Sequence, residues 1–361
     1  MMIDQDIPMT GDIRDFQPRR IAIFRALYLG DLLLAVPALR AIRCGYPDAE
    51  ITLVGLPWAA TFAERFGAYV DRFVTFAGYP GLAEVPVVPA RAAAFLAEQR
   101  AYGYDFAIQM HGSGRFSNCF VAALGARATV GYYEGTLPAA LTLAAPYPDD
   151  RPELLRNLGL AALLGLPAND TRLEFLLRPQ DLAEADALLE PRLRGGLWIG
   201  LHPGAKAPAR RWPADYFVAL GATLAHRYGA RIVVTGGPGE EALTQAVAGG
   251  IGAAALNLAG KTSLGGLAAV ISRLDLFIGN DTGPSHLAHA LRTPSITLFG
   301  PVDVHRWAPL DRARHVVLRE PVPCSPCGHT ECPIDHRCLR WITPERVLQA
   351  AGRFLRKGAV A

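Results

Sequence analysis

Residues 274–287 read Leu-Asp-Leu-Phe-Ile-Gly-Asn-Asp-Thr-Gly-Pro-Ser-His-Leu, and this stretch decides the fold that we predict. Its apolar part, 274–278, predicts a buried strand that stops at a polar turn. Asp281 and Thr282 are placed to N-cap a helix, and Pro284 suits the first turn because its missing N–H would have no intrahelical partner. A strand, a polar turn and a helix in this order are typical of a parallel α/β sheet.

The same turn is a candidate anion site. The N–H groups of the first helical turn and the positive end of the helix dipole favour a phosphate. Gly283 lets a ligand approach the backbone closely, and Ser285 and His286 add polar groups at the carboxyl end of a strand, where such sheets bind ligands. An ordinary capped helix is the alternative for Asp-Thr-Gly alone, but the whole polar set favours a ligand site.

Strands and helices alternate along most of the chain. Predicted strands lie at residues 20–26, 51–56, 72–76, 105–110, 128–131, 197–201, 231–234, 254–258, 274–278 and 295–299. Predicted helices lie at residues 32–44, 90–100, 116–124, 153–164, 213–227, 240–248, 264–273 and 283–291. This alternation indicates parallel sheets covered by helices on both faces.

The domain junction is placed within residues 146–191, which hold several prolines and only one predicted strand, 173–177. We predict an α/β fold of two doubly wound, Rossmann-like domains. Their bounds are 1–19 for an N-terminal tail, 20–180 for the first domain and 181–361 for the second. Ligands of such sheets bind at the carboxyl ends of strands, so we expect the active site in the cleft between the domains.

Composition excludes several classes of protein. The 361 residues are 51% hydrophobic and 19% charged, as in globular proteins. The net charge of +3 is too small to indicate nucleic-acid binding. No run reaches the roughly 18 apolar residues that a membrane span needs. Residues 1–20 are polar and acidic, unlike a signal peptide, so we expect a cytoplasmic protein.

Four of the six cysteines form a cluster with two histidines among them. The cluster consists of Cys324, Cys327, His329, Cys332, His336 and Cys338. In a cytosolic chain such a cluster suggests a structural metal before disulfides, although its spacing is that of neither a standard zinc finger nor a ferredoxin. A metal site, disulfides and reduced thiols in a loop therefore all stay open. Cys44 and Cys119 are isolated, and we expect them to be buried.

A basic loop follows the strand predicted at 197–201. Residues 201–213 read Leu-His-Pro-Gly-Ala-Lys-Ala-Pro-Ala-Arg-Arg-Trp-Pro. Lys206, Arg210 and Arg211 suit a diphosphate, since Arg gives bidentate contacts and Lys a point charge. A solvated basic loop is the alternative. We favour the phosphate site because this loop and the 279–287 turn occupy equivalent places in the topology.

A glycine-rich turn follows the next strand. Residues 235–242 read Thr-Gly-Gly-Pro-Gly-Glu-Glu-Ala, a weak match to the dinucleotide fingerprint. The acidic ribose ligand expected about 20 residues later is absent, which disfavours a dehydrogenase. Glu240 remains a candidate for binding ribose hydroxyls, or it is an ordinary carboxylate at a helix N-terminus.

The last candidate site follows the first strand. Residues 25–31 read Arg-Ala-Leu-Tyr-Leu-Gly-Asp. Gly30 permits an unusual backbone angle or a close ligand. Asp31 is either a helix N-cap, which chemistry alone favours, or a carboxylate at the cleft edge placed to act as a general base.

These motifs in this order are similar to those of glycosyltransferase family 9, the heptosyltransferase family of lipopolysaccharide core assembly. The matching pieces are Gly30-Asp31 with Leu34-x-x-Pro37-Ala-Leu39, His202-Pro-Gly-Ala205, Arg210-Arg-Trp-Pro213, Thr235-Gly-Gly237, 279–287, Leu298-Phe-Gly-Pro301, and the cysteine segment with Ile342-Thr-Pro-Glu345. The resemblance covers about residues 20–355. Single pieces are not specific, but their combination is.

The resemblance implies a GT-B fold, with the donor on the C-terminal domain and the acceptor on the N-terminal one. It also implies an inverting enzyme whose chemistry needs no metal and whose base is Asp31. It assigns donor binding to Asp281, Thr282, Gly283, Ser285 and His286. Heptosyltransferases carry a Lys where this chain has Arg210, so the donor sugar, heptose or another, is left open.

We therefore predict an inverting, metal-independent glycosyltransferase that moves a sugar, with heptose from ADP-heptose as the first choice, to a glycolipid acceptor. The predicted donor site is Gly204, Lys206, Arg210, Arg211 and Glu240 together with the 281–286 turn. Arg25 and Gly30 are placed on the acceptor side. We expect a cytoplasmic monomer, peripheral at the inner membrane, that binds no nucleic acid. A nucleotide-sugar epimerase and a non-catalytic nucleotide-sugar binder, with Asp31 as a mere cap, are the alternatives.

Overall fold

The computed structural model describes residues 13–189 and 196–355. Most of the predicted tail at 1–19 therefore lies outside the described residues. Contacts along the chain divide it into two compact units, Met1–Arg172 and Leu173–Ala361. Among the described residues, no helix is both long and apolar enough to cross a membrane.

The first unit is built around a parallel sheet of six described strands. Its elements are β1 (Arg20–Phe24), α1 (Leu29–Leu33), α2 (Val36–Gly45), β2 (Glu50–Gly55), α3 (Ala59–Arg65), β3 (Arg72–Thr75), α4 (Pro89–Tyr102), β4 (Phe106–Gln109), α5 (Ser117–Ala123), β5 (Ala128–Tyr133), β6 (Leu143–Pro146) and α6 (Glu153–Leu163). The strand order is β3-β2-β1-β4-β5-β6.

The second unit repeats this plan. Its elements are α7 (Pro179–Leu189), β7 (Trp198–His202), α8 (Ala214–Tyr228), β8 (Arg231–Val234), α9 (Glu241–Ile251), β9 (Ala255–Asn257), α10 (Leu264–Ser272), β10 (Leu276–Asn280), α11 (Gly283–Ala290), β11 (Ser295–Phe299), α12 (Val304–Trp307), β12 (His315–Arg319), α13 (Arg337–Arg340) and α14 (Pro344–Leu355). The described strands are ordered β12-β11-β10-β7-β8-β9, and all are parallel.

Both sheets follow the doubly wound Rossmann order, in which the first strand of each unit has the fourth beside it. The central strands are mostly apolar and buried: Ile21, Ile23 and Phe24 of β1 have no solvent exposure. Each such side chain stabilises the fold by about 1.5–3 kcal/mol on burial. The strand order reverses direction between β1 and β4 and between β7 and β10, and such switch points are where these sheets bind ligands.

The structure corrects several predicted elements. The strand predicted at 173–177 is absent from the described sheets, and helix α7 follows it where no helix was expected. Edge strands β6 and β12 were missed, since an edge strand tolerates proline and partial exposure and so carries a weaker apolar pattern. The helix predicted at 32–44 begins at Leu29 and is divided into α1 and α2.

Candidate functional site

The switch point of the second unit joins two of the predicted anion sites. Strands β7 and β10 are hydrogen-bonded neighbours, with Gly279 opposite His202. The basic loop of residues 203–212 leaves β7, and the polar turn leaves β10, at the same edge of the sheet. Strand pairing therefore places the loop beside the turn.

Asn280, the last residue of β10, fixes the basic loop at both of its ends. It is fully buried, and its Oδ1 accepts the Trp212 N–H at 2.9 Å. Its Nδ2 donates to the Pro203 carbonyl at 2.9 Å and to the Gly204 carbonyl at 3.2 Å. Because the backbone groups are satisfied by one buried side chain, the loop is pinned to the turn that would bind the anion.

The N-terminus of α11 lacks a side-chain cap. Thr282 occupies the N-cap position, but its hydroxyl donates toward the Asn280 carbonyl at 3.4 Å instead of capping. The Ser285 hydroxyl donates to the same carbonyl at 2.7 Å. No side-chain oxygen therefore caps the start of α11. The positive end of the helix dipole and the Gly283 N–H group are left for an anion to bind.

Two buried side chains complete this turn. Asp281 and His286 are about 5% exposed, and His286 Nε2 lies 3.6 Å from Asp281 Oδ1. His286 Nδ1 is buried without a hydrogen-bond partner among the described residues. A buried ring nitrogen with no protein partner leaves one hydrogen bond for water or a ligand to supply.

The three predicted cations differ in their environment. Lys206 and Arg210 are exposed, and no side-chain partner of Arg210 occurs within the described ranges. Arg211 is half-buried, and its Nε donates to the Ala205 carbonyl at 2.9 Å, so it partly stabilises the loop itself. Arg210 is therefore the cation best placed to contact a bound anion.

Glu240 is the N-cap residue of α9 and lies close to the basic loop. Its Oε2 accepts the Gly237 N–H at 2.8 Å and lies 4.0 Å from His202 Nε2. The carboxylate rests directly on Gly204, where an added Cβ would come within 2.2 Å of it. Burial lowers the pKa of His202. The negative charge of Glu240 and a hydrogen bond with Thr235 offset part of this decrease. Gly204 is thus required by the approach of Glu240, and a role for Glu240 toward ribose stays a prediction.

The switch point of the first unit holds Asp31. It is the third residue of α1, and its Oδ2 accepts the Tyr28 N–H at 3.3 Å. Asp31 is therefore not the N-cap residue, because the helix starts earlier, at Leu29. Its carboxylate instead accepts a hydrogen bond from Tyr28, the residue that precedes the helix. Its side chain is 18% exposed, and Gly30 beside it is buried. Its role as a base stays a prediction.

Arg25 is a buried cation that fixes the Asp31 turn. It is 1% exposed, and its Nε donates to the Asp31 carbonyl at 2.9 Å. Its Nη1 donates to Met110 O at 2.5 Å and to Asn157 Oδ1 at 3.0 Å, and its Nη2 donates to Glu153 at 3.1 Å. A buried guanidinium requires such partners. These contacts fix the Asp31 turn, and the place of Arg25 on the acceptor side stays a prediction.

Sequence reasoning missed His111, which follows β4 at the same switch point. Its Nδ1 accepts the Ala26 N–H at 3.3 Å, so Nε2 carries the proton and donates to Glu84 at 3.2 Å. The ring stacks on Phe24 with centroids 4.7 Å apart. The sequence did carry a signal for His111, since it is a polar residue shortly after a buried strand. The other candidate sites were found by that same pattern.

The cysteines differ from expectation in two ways. Cys44 and Cys119 were expected to be buried but are exposed, because they lie on the outer faces of α2 and α5. Among residues 13–189 and 196–355, no group of three or more His, Cys, Asp or Glu side chains is arranged to hold a metal ion. The structure therefore does not support the structural metal suggested by Cys324, Cys327, Cys332 and Cys338.

Comparisons with known proteins agree with the predicted family. A sequence profile of glycosyltransferase family 9 (heptosyltransferase) matches residues 93–337. Lipooligosaccharide heptosyltransferase 2 of Campylobacter jejuni is 31% identical over 172 residues, which are 45% of this chain and 53% of that protein. In this match the chain spans about half the length of its relative.

Two further comparisons cover more of the chain. Lipopolysaccharide heptosyltransferase 3 of Escherichia coli K12 is 26% identical over 306 residues, 78% of this chain and 83% of that protein. The solved structure of E. coli ADP-heptose lipopolysaccharide heptosyltransferase II is similar with a TM-score of 0.73 and 21% identity, over 94% of this chain and all of that one. The two-domain α/β fold of GT-B type is thereby confirmed.

Proposed function

The chain belongs to glycosyltransferase family 9, and from this membership and its two switch points we propose that it transfers a sugar from a nucleotide-sugar donor to a lipopolysaccharide-core acceptor. Names of relatives support the class of reaction, since the matched proteins are heptosyltransferases. ADP-heptose is the donor that we propose, because the name of the E. coli structural neighbour, ADP-heptose lipopolysaccharide heptosyltransferase II, includes it. The proposed acceptor is a glycolipid at the cytoplasmic membrane surface, and the proposed active form is a monomer.

The observation that carries the proposal is the Asn280 clamp. One buried amide holds the basic loop against the uncapped start of α11. The exposed Arg210 lies on this fixed loop, two residues before Trp212, and an arginine and a positive helix end both stabilise negative charge. This arrangement suits the diphosphate of a nucleotide sugar, which gains charge as it leaves.

We propose direct displacement at the anomeric carbon. An acceptor hydroxyl oxygen attacks this carbon, and Asp31 takes the hydroxyl proton. The bond from the anomeric carbon to the diphosphate oxygen breaks, and its electron pair leaves with the nucleoside diphosphate. Arg210, Lys206 and the 283–286 helix end stabilise this leaving group without a metal ion. Attack from the face opposite the leaving group inverts the configuration.

The experiment that tests the proposal is a transfer assay with purified chain, ADP-heptose and a lipopolysaccharide-core acceptor, read by mass spectrometry. We expect a product heavier by one heptosyl group, and the same rate in EDTA, because protein cations and the helix end carry the charge. ADP-glucose serves as the matched control donor. A rate that EDTA abolishes and magnesium restores would contradict metal independence, and isomerised donor without acceptor would indicate an epimerase instead.

Arg210→Ala is expected to weaken adenosine diphosphate binding by roughly 1.5–3 kcal/mol, the scale of a charge-assisted hydrogen bond. It is also expected to slow the chemical step, since charge grows on the leaving oxygen. Arg210→Lys is expected to restore part of both effects. Calorimetry measures the affinity, and Arg227→Ala, an exposed arginine at the end of α8, is the control. Equal affinity of the Arg210→Ala variant and the wild type would assign the diphosphate to Lys206 or Arg211.

A further inference from the structure

The cysteine-containing segment 324–338, called the strap below, is hydrogen-bonded to the basic loop. The Ala209 N–H donates to the Thr330 carbonyl at 2.9 Å. On the other side of the same residue, His336 Nε2 donates to the Ala209 carbonyl at 2.7 Å. Ala209 is 2% exposed and directly precedes Arg210. The strap therefore fixes the backbone that carries the exposed arginine.

The other end of the strap is fixed to the end of β11. The Ser325 hydroxyl donates to the Gly300 carbonyl at 2.8 Å, and the Cys327 N–H donates to the Pro301 carbonyl at 2.8 Å. Leu339, just beyond the strap, is fully buried and leaves no room for a side chain at Gly300. The strap thus spans from β11 to the basic loop.

The thiols of the strap share one cavity with Ala209. The cavity has a volume of about 80 Å³, and its lining includes Ala209, His336, Cys324, Cys327, Cys332 and Cys338. Cys332 Sγ accepts the backbone N–H of His336 at 3.2 Å, so a thiol contacts the same residue whose ring binds Ala209. A group attached to one of these sulfurs would enter or deform the wall that holds the basic loop.

The four thiols differ in accessibility. Cys324 and Cys327 are exposed, Cys332 is half-buried and Cys338 is buried. Burial, followed by the charges of the other three cysteines, raises the pKa of Cys338 to about 11. The hydrogen bond to Asp335 and the charge of that carboxylate, followed by the nearby Cys324 and Cys332 side chains, raise the pKa of Arg337. Cys338 is thus a neutral thiol of the core, whereas Cys324 is exposed and interacts electrostatically with Arg337, a cation of the kind that favours thiolate reactivity.

We propose that the exposed thiols of the strap are a modification site for small disulfides, and that the adduct weakens the hold of the strap on Ala209. A strap thiolate attacks one sulfur of the disulfide; a new S–S bond forms, the old one breaks, and the other half leaves as a thiolate. The expected loss of anion affinity rests on the proposed function of the basic loop. The expected loosening of the backbone at Ala209 does not depend on that proposed function.

The test uses the full chain with Cys44→Ser and Cys119→Ser, so that only strap thiols react with glutathione disulfide. Intact mass counts the adducts, hydrogen exchange follows the peptide that contains Ala209, and calorimetry gives adenosine diphosphate affinity. We expect at least one adduct, exchange of the Ala209 peptide faster by about tenfold, and affinity weaker by a similar factor, the scale of one lost hydrogen bond. Dithiothreitol is expected to reverse all three changes.

Adding Cys324→Ser and Cys327→Ser to that background provides the control and is expected to abolish the response. Failure of the strap to form an adduct, or unchanged exchange at Ala209 after modification, overturns the inference. So does stoichiometric zinc in the purified protein, because the thiols would then be metal ligands. Faster exchange in a chain that binds no adenosine diphosphate, modified or not, supports the strap inference and overturns the proposed function instead.

Discussion

Asp31→Asn is expected to lower turnover at least about a hundredfold, within the range measured for a lost general base. Asparagine keeps an oxygen that can accept the Tyr28 N–H, so the start of α1 is preserved. It cannot take the proton of an acceptor hydroxyl. Affinity for the donor is expected to stay near that of the wild type, because the donor elements lie in the other unit. Steady-state turnover and donor calorimetry measure the two effects separately.

The chain supplies a matched control for this variant. Asp181 is the third residue of α7, and its Oδ2 accepts the Arg178 N–H at 2.7 Å, as Asp31 does at α1. Asp181→Asn therefore changes the same kind of helix start without touching the proposed base. We expect a comparable change in melting temperature and unchanged turnover. Turnover of Asp31→Asn within a few-fold of wild type would reduce Asp31 to a structural residue.

The fold could be predicted because its signals are local. Buried parallel strands such as Ser295–Phe299 and Arg231–Val234 read as short apolar runs, and the structure has them with the predicted bounds. Strand order follows from topology once the alternation of strands and helices is known. For that reason the polar turns after β1, β7 and β10 could be placed at the carboxyl ends of strands from sequence alone, and the strand order of the structure puts them at the switch points.

The contacts that organise the sites could not be predicted, because their partners are distant in sequence. Asn280 was part of a predicted motif, but its bonds to Pro203 and Trp212 depend on the pairing of β7 with β10. Glu153 lies in a helix that we treated only as a domain junction. The state of the cysteine cluster was left open for a related reason: spacing alone does not fix whether sulfurs converge at metal-ligand distances.

Glu153→Ala is expected to destabilise the first unit by about 3–5 kcal/mol, the effect of leaving a buried charge without its partner. Glu153 is 3% exposed and pairs with Arg25 at 3.1 Å. Its second oxygen lies 3.8 Å from Arg156, so its removal affects two buried guanidinium groups. Chemical denaturation measures the free energy of unfolding, and Glu98→Ala, which breaks the exposed pair with Arg72, is expected to change it by less than about 1 kcal/mol.

The same substitution links stability to the proposed catalysis. Arg25 holds the Asp31 carbonyl, so an Arg25 that loses Glu153, and keeps its bonds to Met110 and Asn157, is less firmly placed to orient the Asp31 turn. Glu153→Gln keeps an oxygen for Arg25 but removes the charge, and it is expected to lie between wild type and Glu153→Ala in both stability and turnover. If Glu153→Ala costs no more than Glu98→Ala, the Arg25 network is not what holds the first switch point together. Asp31 would then owe its position to the α1 helix start alone.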